Sequence, residues 1–315
     1  MSGPATSFRG VNRRSWLLFG AMCVIWGLPY LLIRVAVRDL NPATVVFART
    51  CIGALLLMPV VVWRGQLRAL RGHWRWVIVY TVFELTVPWY LLTSAEQHLT
   101  SSLAGLLVAG VPLVGVVLAR IVGGGEPVGS RRLTGLLIGV GGVAALVGLQ
   151  VGTIDMVAVL EVFFVAIGYA VGPLVLSRRL SDLPSMAVVA MSLVITAAVY
   201  APFALTSHPG HISGEVVWSV LTLAVVCTAL AFLIFFALIA DIGPVRATVI
   251  TYVNPAVAIL LGVTILGEHL TAGMIVGFPL VLIGSVLATT RGTPRTVRAA
   301  QAAPPEEVPA AVTPG

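Results

Sequence analysis

Lysine is absent from this 315-residue sequence, and charged residues of every kind make up only 10% of it. Soluble domains carry roughly 25%, so an ordinary cytosolic enzyme is excluded. All 19 basic residues are arginines, and the formal charge is +7. A nucleic-acid binder concentrates such charge on one face, whereas these arginines fall in short segments between apolar runs, as topology signals do. No nucleic-acid partner is expected. Cysteine is equally scarce. Cys23, Cys51 and Cys227 stand alone in apolar runs with no Cys-x-x-Cys spacing, which suits buried small hydrophobes better than a disulfide or metal site. The five histidines, His73, His98, His208, His211 and His269, fall in loops or at span ends, so no Ser/His dyad or histidine metal site can form within the spans. Nor is there a Walker motif. Gly123 to Gly125 lead into Glu126 and Pro127 without a lysine, which makes them a turn and argues against an ATP-driven pump. No cofactor is expected.

What is present is hydrocarbon. Hydrophobic residues are 58% of the chain and mean hydropathy is +1.03, so the solvent for most side chains is the lipid bilayer or other membrane helices. A helix needs about 20 apolar residues to cross roughly 30 Å of hydrocarbon. Ten stretches qualify: 15–37, 42–63, 75–95, 101–122, 133–149, 155–177, 184–205, 216–240, 246–266 and 271–290. The expectation is an all-α polytopic membrane protein with short connections and no extramembrane domain. The first run follows Arg9, Arg13 and Arg14 and so resembles a signal peptide, but it is too long and lacks a small-residue cleavage pattern before Arg38, so it is expected to remain as the first span.

Basic residues are disfavoured in short translocated loops. With the amino terminus in the cytoplasm, sixteen of the nineteen arginines fall on the inside, Arg38 is outside, and Arg34 and Arg49 lie within spans one and two. An even number of spans then returns the carboxyl terminus to the cytoplasm. Residues 1–14 and the Ala- and Pro-rich tail from 291 to 315 lack the apolar content to pack and are expected to be disordered.

The chain also repeats itself. Pro112 is followed by Glu126, Gly135 and Gly142, and Pro255 by Glu268, Gly277 and Gly284; Pro42 and Pro59 match Pro184 and Pro202, and Gly27 matches Gly168. The offset is 141 to 143 residues, or five spans, so residues 15–149 form one unit and 150–290 a second. Because five is odd, the second enters the membrane from the opposite side. Inverted repeats in secondary transporters place a binding site near the midplane between the halves. On Trp26, Gly27, the Phe47–Ala48–Arg49 stretch, Pro112 and Glu126, then Thr228, Ala229, Pro255, Gly262, Gly267, Glu268 and Gly277, the sequence resembles the EamA family of the drug/metabolite transporter superfamily. That resemblance implies export or exchange of small metabolites, such as amino acids and related amphipathic solutes, without ATP hydrolysis. The run Gly123 to Gly125 before Glu126 departs from the family pattern and affects the local loop alone.

An ionisable side chain inside a span costs about 2.5 to 3.5 kcal/mol on insertion scales and has to find a partner or water. Glu84, Arg49, Glu161 and Arg34 are the candidates. The repeat counterparts of Glu84 and Arg49 are Cys227 and Met191, so the shared fold does not require these charges. Two readings stand: a buried Arg49–Glu84 ion pair locking two helices, or a substrate site in which Arg49 attracts a carboxylate and Glu84 or Glu161 an amino group. A protonatable acid could instead couple transport to the proton gradient, in which case Glu84→Gln abolishes pH dependence. Aromatic residues Trp26, Tyr30, Trp89, Tyr90, Tyr169 and Tyr252 add a second constellation suited to walling a cavity, and Asn254 beside Pro255 an exposed polar contact. Trp16, Trp63, Trp74, Trp76 and Trp218, at span ends, read as interfacial anchors. Glycines of spans five and ten are assigned to scaffolding or a homodimer contact. The candidate substrate-binding set is therefore Trp26, Tyr30, Arg49, Glu84, Glu161, Tyr169, Tyr252 and Asn254. The competing functions are an uptake carrier for another solute, a membrane scaffold or sensor that moves nothing, and, with least support, an intramembrane enzyme.

Overall fold

The computed structural model describes residues 12–122, 129–149 and 153–289; Glu126, Gly123 to Gly125 and most of the two ends expected to be disordered lie outside the described residues. Ten apolar helices run through it: α1 (Arg13–Ala36), α2 (Pro42–Trp63), α3 (Trp74–Ala95), α4 (Ser101–Ile121), α5 (Ser130–Gly148), α6 (Met156–Arg179), α7 (Ser185–Leu205), α8 (Gly214–Ile242), α9 (Ile250–Ile265) and α10 (Ala272–Thr289). No strand occurs among the described residues. Nine are long enough to cross hydrocarbon unaided, and α9 is the short one. The sequence places its start at residue 246; instead a one-turn helix, Pro244–Ala247, precedes it. At the start of α9 the Thr251 hydroxyl donates back to the carbonyl of Thr248 at 2.7 Å, a local bond that competes with the helical ladder.

The helices start where side chains can supply missing acceptors. Asn12, Asn41, Thr100 and Asp155 each accept from the first-turn amides of α1, α2, α4 and α6, satisfying donors that lack intrahelical partners. Prolines sort into two groups. Pro29 and Pro112 sit in the first turn after interruptions at Trp26–Gly27 and Ala109–Gly110, and Pro88 follows a π-helical segment at Val82–Thr86. Pro173, Pro255 and Pro279 lie inside uninterrupted helices.

Packing follows a reciprocal scheme. Helix α1 lies against α8 and α9, while α6 lies against α3 and α4; α2 pairs with α7, α4 with α9, and α5 with α10. Exchanging the first five helices for the last five maps this list onto itself. That reciprocity is the contact pattern of two interlocked, inverted five-helix repeats. Backbone irregularities repeat as well: α8 carries a π-helical segment at Val225–Leu230, 143 residues after that of α3, the same offset as Pro112 to Pro255. Only the first is followed by proline, so proline does not cause the pair.

The α5–α10 seam shows why the glycines repeat. A side chain on Gly135 would strike the backbone of Gly284 and Ala288, and one on Gly142 that of Gly277 and Val281. Under the repeat exchange these are the same contact made twice, the isologous geometry of a twofold axis. Small residues let the backbones approach closely where lipid offers no hydrophobic drive. These glycines face the partner helix within the chain, as the scaffold role requires. At the helix ends Trp16, Trp63, Trp74, Trp76 and Trp218 are exposed, and Arg179 covers the Trp76 ring at 4.6 Å.

Candidate functional site

Helix α2 carries Arg49 into the middle of the bundle, where it is 8% exposed. Its Nε donates to Thr228 Oγ1 of α8 at 2.8 Å, and the guanidinium lies 3.7 Å from the centre of the Trp89 ring of α3. Thr228 belongs to the π-helical segment of α8 and its hydroxyl donates a hydrogen bond to the carbonyl of Leu223 at 2.8 Å, so its oxygen is left to accept. Gly53, one turn below Arg49, gives Thr228 room: a side chain there would stand 3.0 Å from the threonine methyl. Tyr30 of α1, Tyr169 of α6, Cys227 of α8 and Glu96 at the end of α3 are the other groups within electrostatic range of the cation. Elements from both repeats thus converge on one charge.

Arg49 and Glu84 form no ion pair; no carboxylate lies within 4 Å of Arg49 among the described residues. The π-helical segment at Val82–Thr86 explains this, because it changes which way the residues of α3 before Trp89 face. Glu84 sits in the π-helical segment and turns to α6, where Gly172 leaves the space its carboxyl group fills. Its Oε2 is buried without a hydrogen-bond partner. Gly168, one turn before Gly172, lets the carbonyl of Phe83 and the ring of Pro88 approach, giving α6 a Gly-x-x-x-Gly face against the bulge. Tyr169 of α6 is within electrostatic range of both Glu84 and Arg49.

The remaining candidates lie apart from this cluster. Trp26 packs on Phe235 and Phe232 of α8, with ring centres 4.6 and 6.1 Å away. Glu161 accepts from Ser94 Oγ at 2.8 Å, joining α6 to α3. Tyr252 is half-exposed, and its hydroxyl is 3.3 Å from Thr289 Oγ1. Asn254 is buried, not exposed. Its amide nitrogen reaches the carbonyls of Ile250 at 2.9 Å and Cys23 at 3.2 Å, tying α9 to α1 across the repeat boundary. Of the eight candidates, the structure gathers Tyr30, Arg49, Tyr169 and, behind the last, Glu84. Sequence reasoning passed over Thr228 as a site residue, although it stands in the family-like string, and over Glu96, because it falls at a span boundary.

Where α1, α3 and α9 end and α4 begins, a cavity of about 430 Å³ is lined by Arg34, Val37, Arg38, Gln97, Thr100, Leu266 and Glu268. Glu268 holds its far wall: the carboxylate accepts from the amides of Ser101 at 2.7 Å and Ser102 at 3.0 Å and from the Ser102 hydroxyl, capping α4. Gly267, with φ at 67°, turns the chain out of α9 to place it.

Residues 14–148 and 156–290 each match the EamA-like transporter family. The chain belongs to that family. It is 30% identical over 285 residues to the uncharacterized inner membrane transporter YedA of Escherichia coli (strain K12), covering 86% of this chain and 90% of that protein. It is 25% identical over 282 residues to the uncharacterized transporter YvbV of Bacillus subtilis (strain 168), at 88% and 92% coverage. A protein of known crystal structure aligns with a TM-score of 0.63 and 22% identity over 87% of this chain and 96% of that one, a likeness of fold. This EamA-like chain is therefore a multi-pass membrane transporter of the drug/metabolite type, and its two matched stretches coincide with the two sets of five helices.

Proposed function

We propose that this EamA-like chain is a secondary carrier of the cell inner membrane, with both ends in the cytoplasm, that exports or exchanges small carboxylate-bearing metabolites such as amino acids. The two halves alternate in opening to either side, as the reciprocal packing of inverted repeats permits. The observation that carries this reading is Arg49: a permanent cation at the centre of the bundle with no carboxylate beside it among the described residues. A buried charge without a counter-charge is costly. Stacking on Trp89 and the Thr228 hydrogen bond offset part of that cost and leave the outer edge of the guanidinium available to an anion. The ring of Trp89 and the phenols of Tyr30 and Tyr169 suit an amphipathic cargo, and Glu84, held apart from Arg49, is the acid through which protons would enter the cycle.

Counterflow in proteoliposomes tests the reading. Liposomes loaded with unlabelled amino acids should accumulate labelled ones saturably, and Arg49→Gln should abolish this while leaving the protein in the membrane. Glu84→Gln should flatten the pH profile of flux. Absence of flux for any solute offered would favour the scaffold or sensor alternative.

A further inference from the structure

Glu96 is the most deeply buried acid in the described chain. It lies one residue beyond α3, is 0% exposed, and both carboxyl oxygens are buried without a hydrogen-bond partner. It also caps the carboxyl end of a helix, where the backbone dipole repels negative charge. The nearest cation declines it: Arg34 of α1 donates through one nitrogen to the backbone carbonyls of Glu96 and, at 3.0 Å, Gln97. Arg34 is itself a wall of the 430 Å³ cavity, as are Gln97, Thr100 and Glu268, so the buried acid sits directly behind that wall. The charged and titratable groups that face it are Arg34 and Tyr30 from α1, Arg49 from α2, Tyr169 from α6 and Glu268 from the α9–α10 turn. His98, two residues on, is engaged with Asp155 at 3.7 Å. Glu268 spends its oxygens on the α4 amides and offers Glu96 no proton.

We infer that Glu96 is a proton-binding site beside this cavity, protonated in this conformation and emptied into the cavity when Arg34 turns from its backbone carbonyl to its carboxylate. A carboxyl group with no donor on either oxygen is stable in such a place as the neutral acid. In the release step the O–H bond breaks, its electron pair stays on oxygen, a cavity water takes the proton, and the new anion pairs with the Arg34 guanidinium. Burial raises the Glu96 carboxyl well above the usual carboxylate range; Arg34 opposes this and Glu268 adds to it. Because Arg34 also holds the end of α3, its movement would loosen α3 at that end, which links the proton to the opening of the cavity. Glu96 has a leucine or isoleucine, Leu238 or Ile239, at the corresponding place in the second repeat, so the site belongs to one repeat only.

The site's chemistry is independent of the cargo and can be read on protein that shows no flux. Infrared titration of the full chain in liposomes should show a protonated-carboxyl signal persisting at neutral pH in the wild type and in Glu84→Gln, and reduced in Glu96→Gln. Labelling of Arg38→Cys, at the cavity wall, with a membrane-impermeant maleimide should change several-fold as the signal titrates, in the wild-type and Glu84→Gln backgrounds but not in Glu96→Gln. A signal that vanishes with Glu84→Gln, or labelling that ignores pH or keeps its step in Glu96→Gln, overturns the inference. If Glu96→Gln fails to insert, the wild-type and Glu84→Gln measurements still decide.

Discussion

Gly142→Ala and Gly141→Ala change adjacent residues of α5 in the same way, yet the structure predicts different outcomes. The β-carbon of alanine at 142 would stand 2.6 Å from the amide nitrogen of Val281, 2.9 Å from the carbonyl oxygen of Gly277 and 2.9 Å from the β-carbon of Leu280. None of these atoms can swing aside, because each belongs to the α10 backbone or is fixed to it. Relief to ordinary contact requires α5 and α10 to part by roughly 0.8 Å, which forfeits dispersion contacts along the whole seam. Overpacking of this kind costs about 1 to 3 kcal/mol. At 141 a β-carbon meets nothing within 4 Å. Both substitutions gain up to about 1 kcal/mol of helix propensity, so the difference between the variants isolates the steric cost. At a few degrees per kcal/mol for a chain of this size, Gly142→Ala should melt about 5 °C below Gly141→Ala. Tryptophan fluorescence during heating in nanodiscs reads the midpoints. Equal midpoints, or a lower one for Gly141→Ala, would refute the assignment of these glycines to an intramolecular seam.

Three further outcomes are expected. Thr228→Val leaves Arg49 Nε without its acceptor; at about 1.5 kcal/mol for a hydrogen bond to a charged group, half-saturation of counterflow should rise about tenfold, and an unchanged value would remove Thr228 from the site. Gly172→Ala puts a methyl group where the Glu84 carboxyl lies, so it should destabilise the protein by about 1 to 3 kcal/mol, and by less in a Glu84→Ala background, as a double-mutant cycle of thermal midpoints would show. Asp39, in the α1–α2 loop, accepts from the Ser213 amide at 2.8 Å; that bond holds its carboxyl below the usual range, helped by the Ser213 hydroxyl, His211 and Arg38 and opposed by burial. The stability it contributes is present above the unfolded-state value and is lost as pH falls through the lower folded one, so acidification through the carboxylate range should lower the wild-type midpoint more than that of Asp39→Asn.

The membrane class and the inverted duplication were written in the sequence by itself, because both rest on quantities that are one-dimensional. Apolar length decides whether a segment can cross hydrocarbon, and spacing decides whether Pro112, Gly135 and Gly142 recur as Pro255, Gly277 and Gly284. Which charges meet was settled only in three dimensions. The sequence allowed Arg49 and Glu84 to pair, but two π-helical segments, invisible to periodicity, turn Glu84 towards Gly172 and bring Thr228 to Arg49 instead. Tyr252 and Trp26 look as suitable for a cavity as Tyr169 when each is judged by its depth in a span; in the fold Tyr252 meets Thr289 of α10 and Trp26 the phenylalanines of α8. Glu96 is the sharpest case. A residue at a span boundary reads as solvated, and it becomes buried because the cap at Glu268 and the reach of Arg34 close over it from helices far away in the chain. Side-chain direction at a helix end depends on neighbours that sequence spacing does not encode, and for that reason the fold was legible in the string of residues while the site was legible only in part.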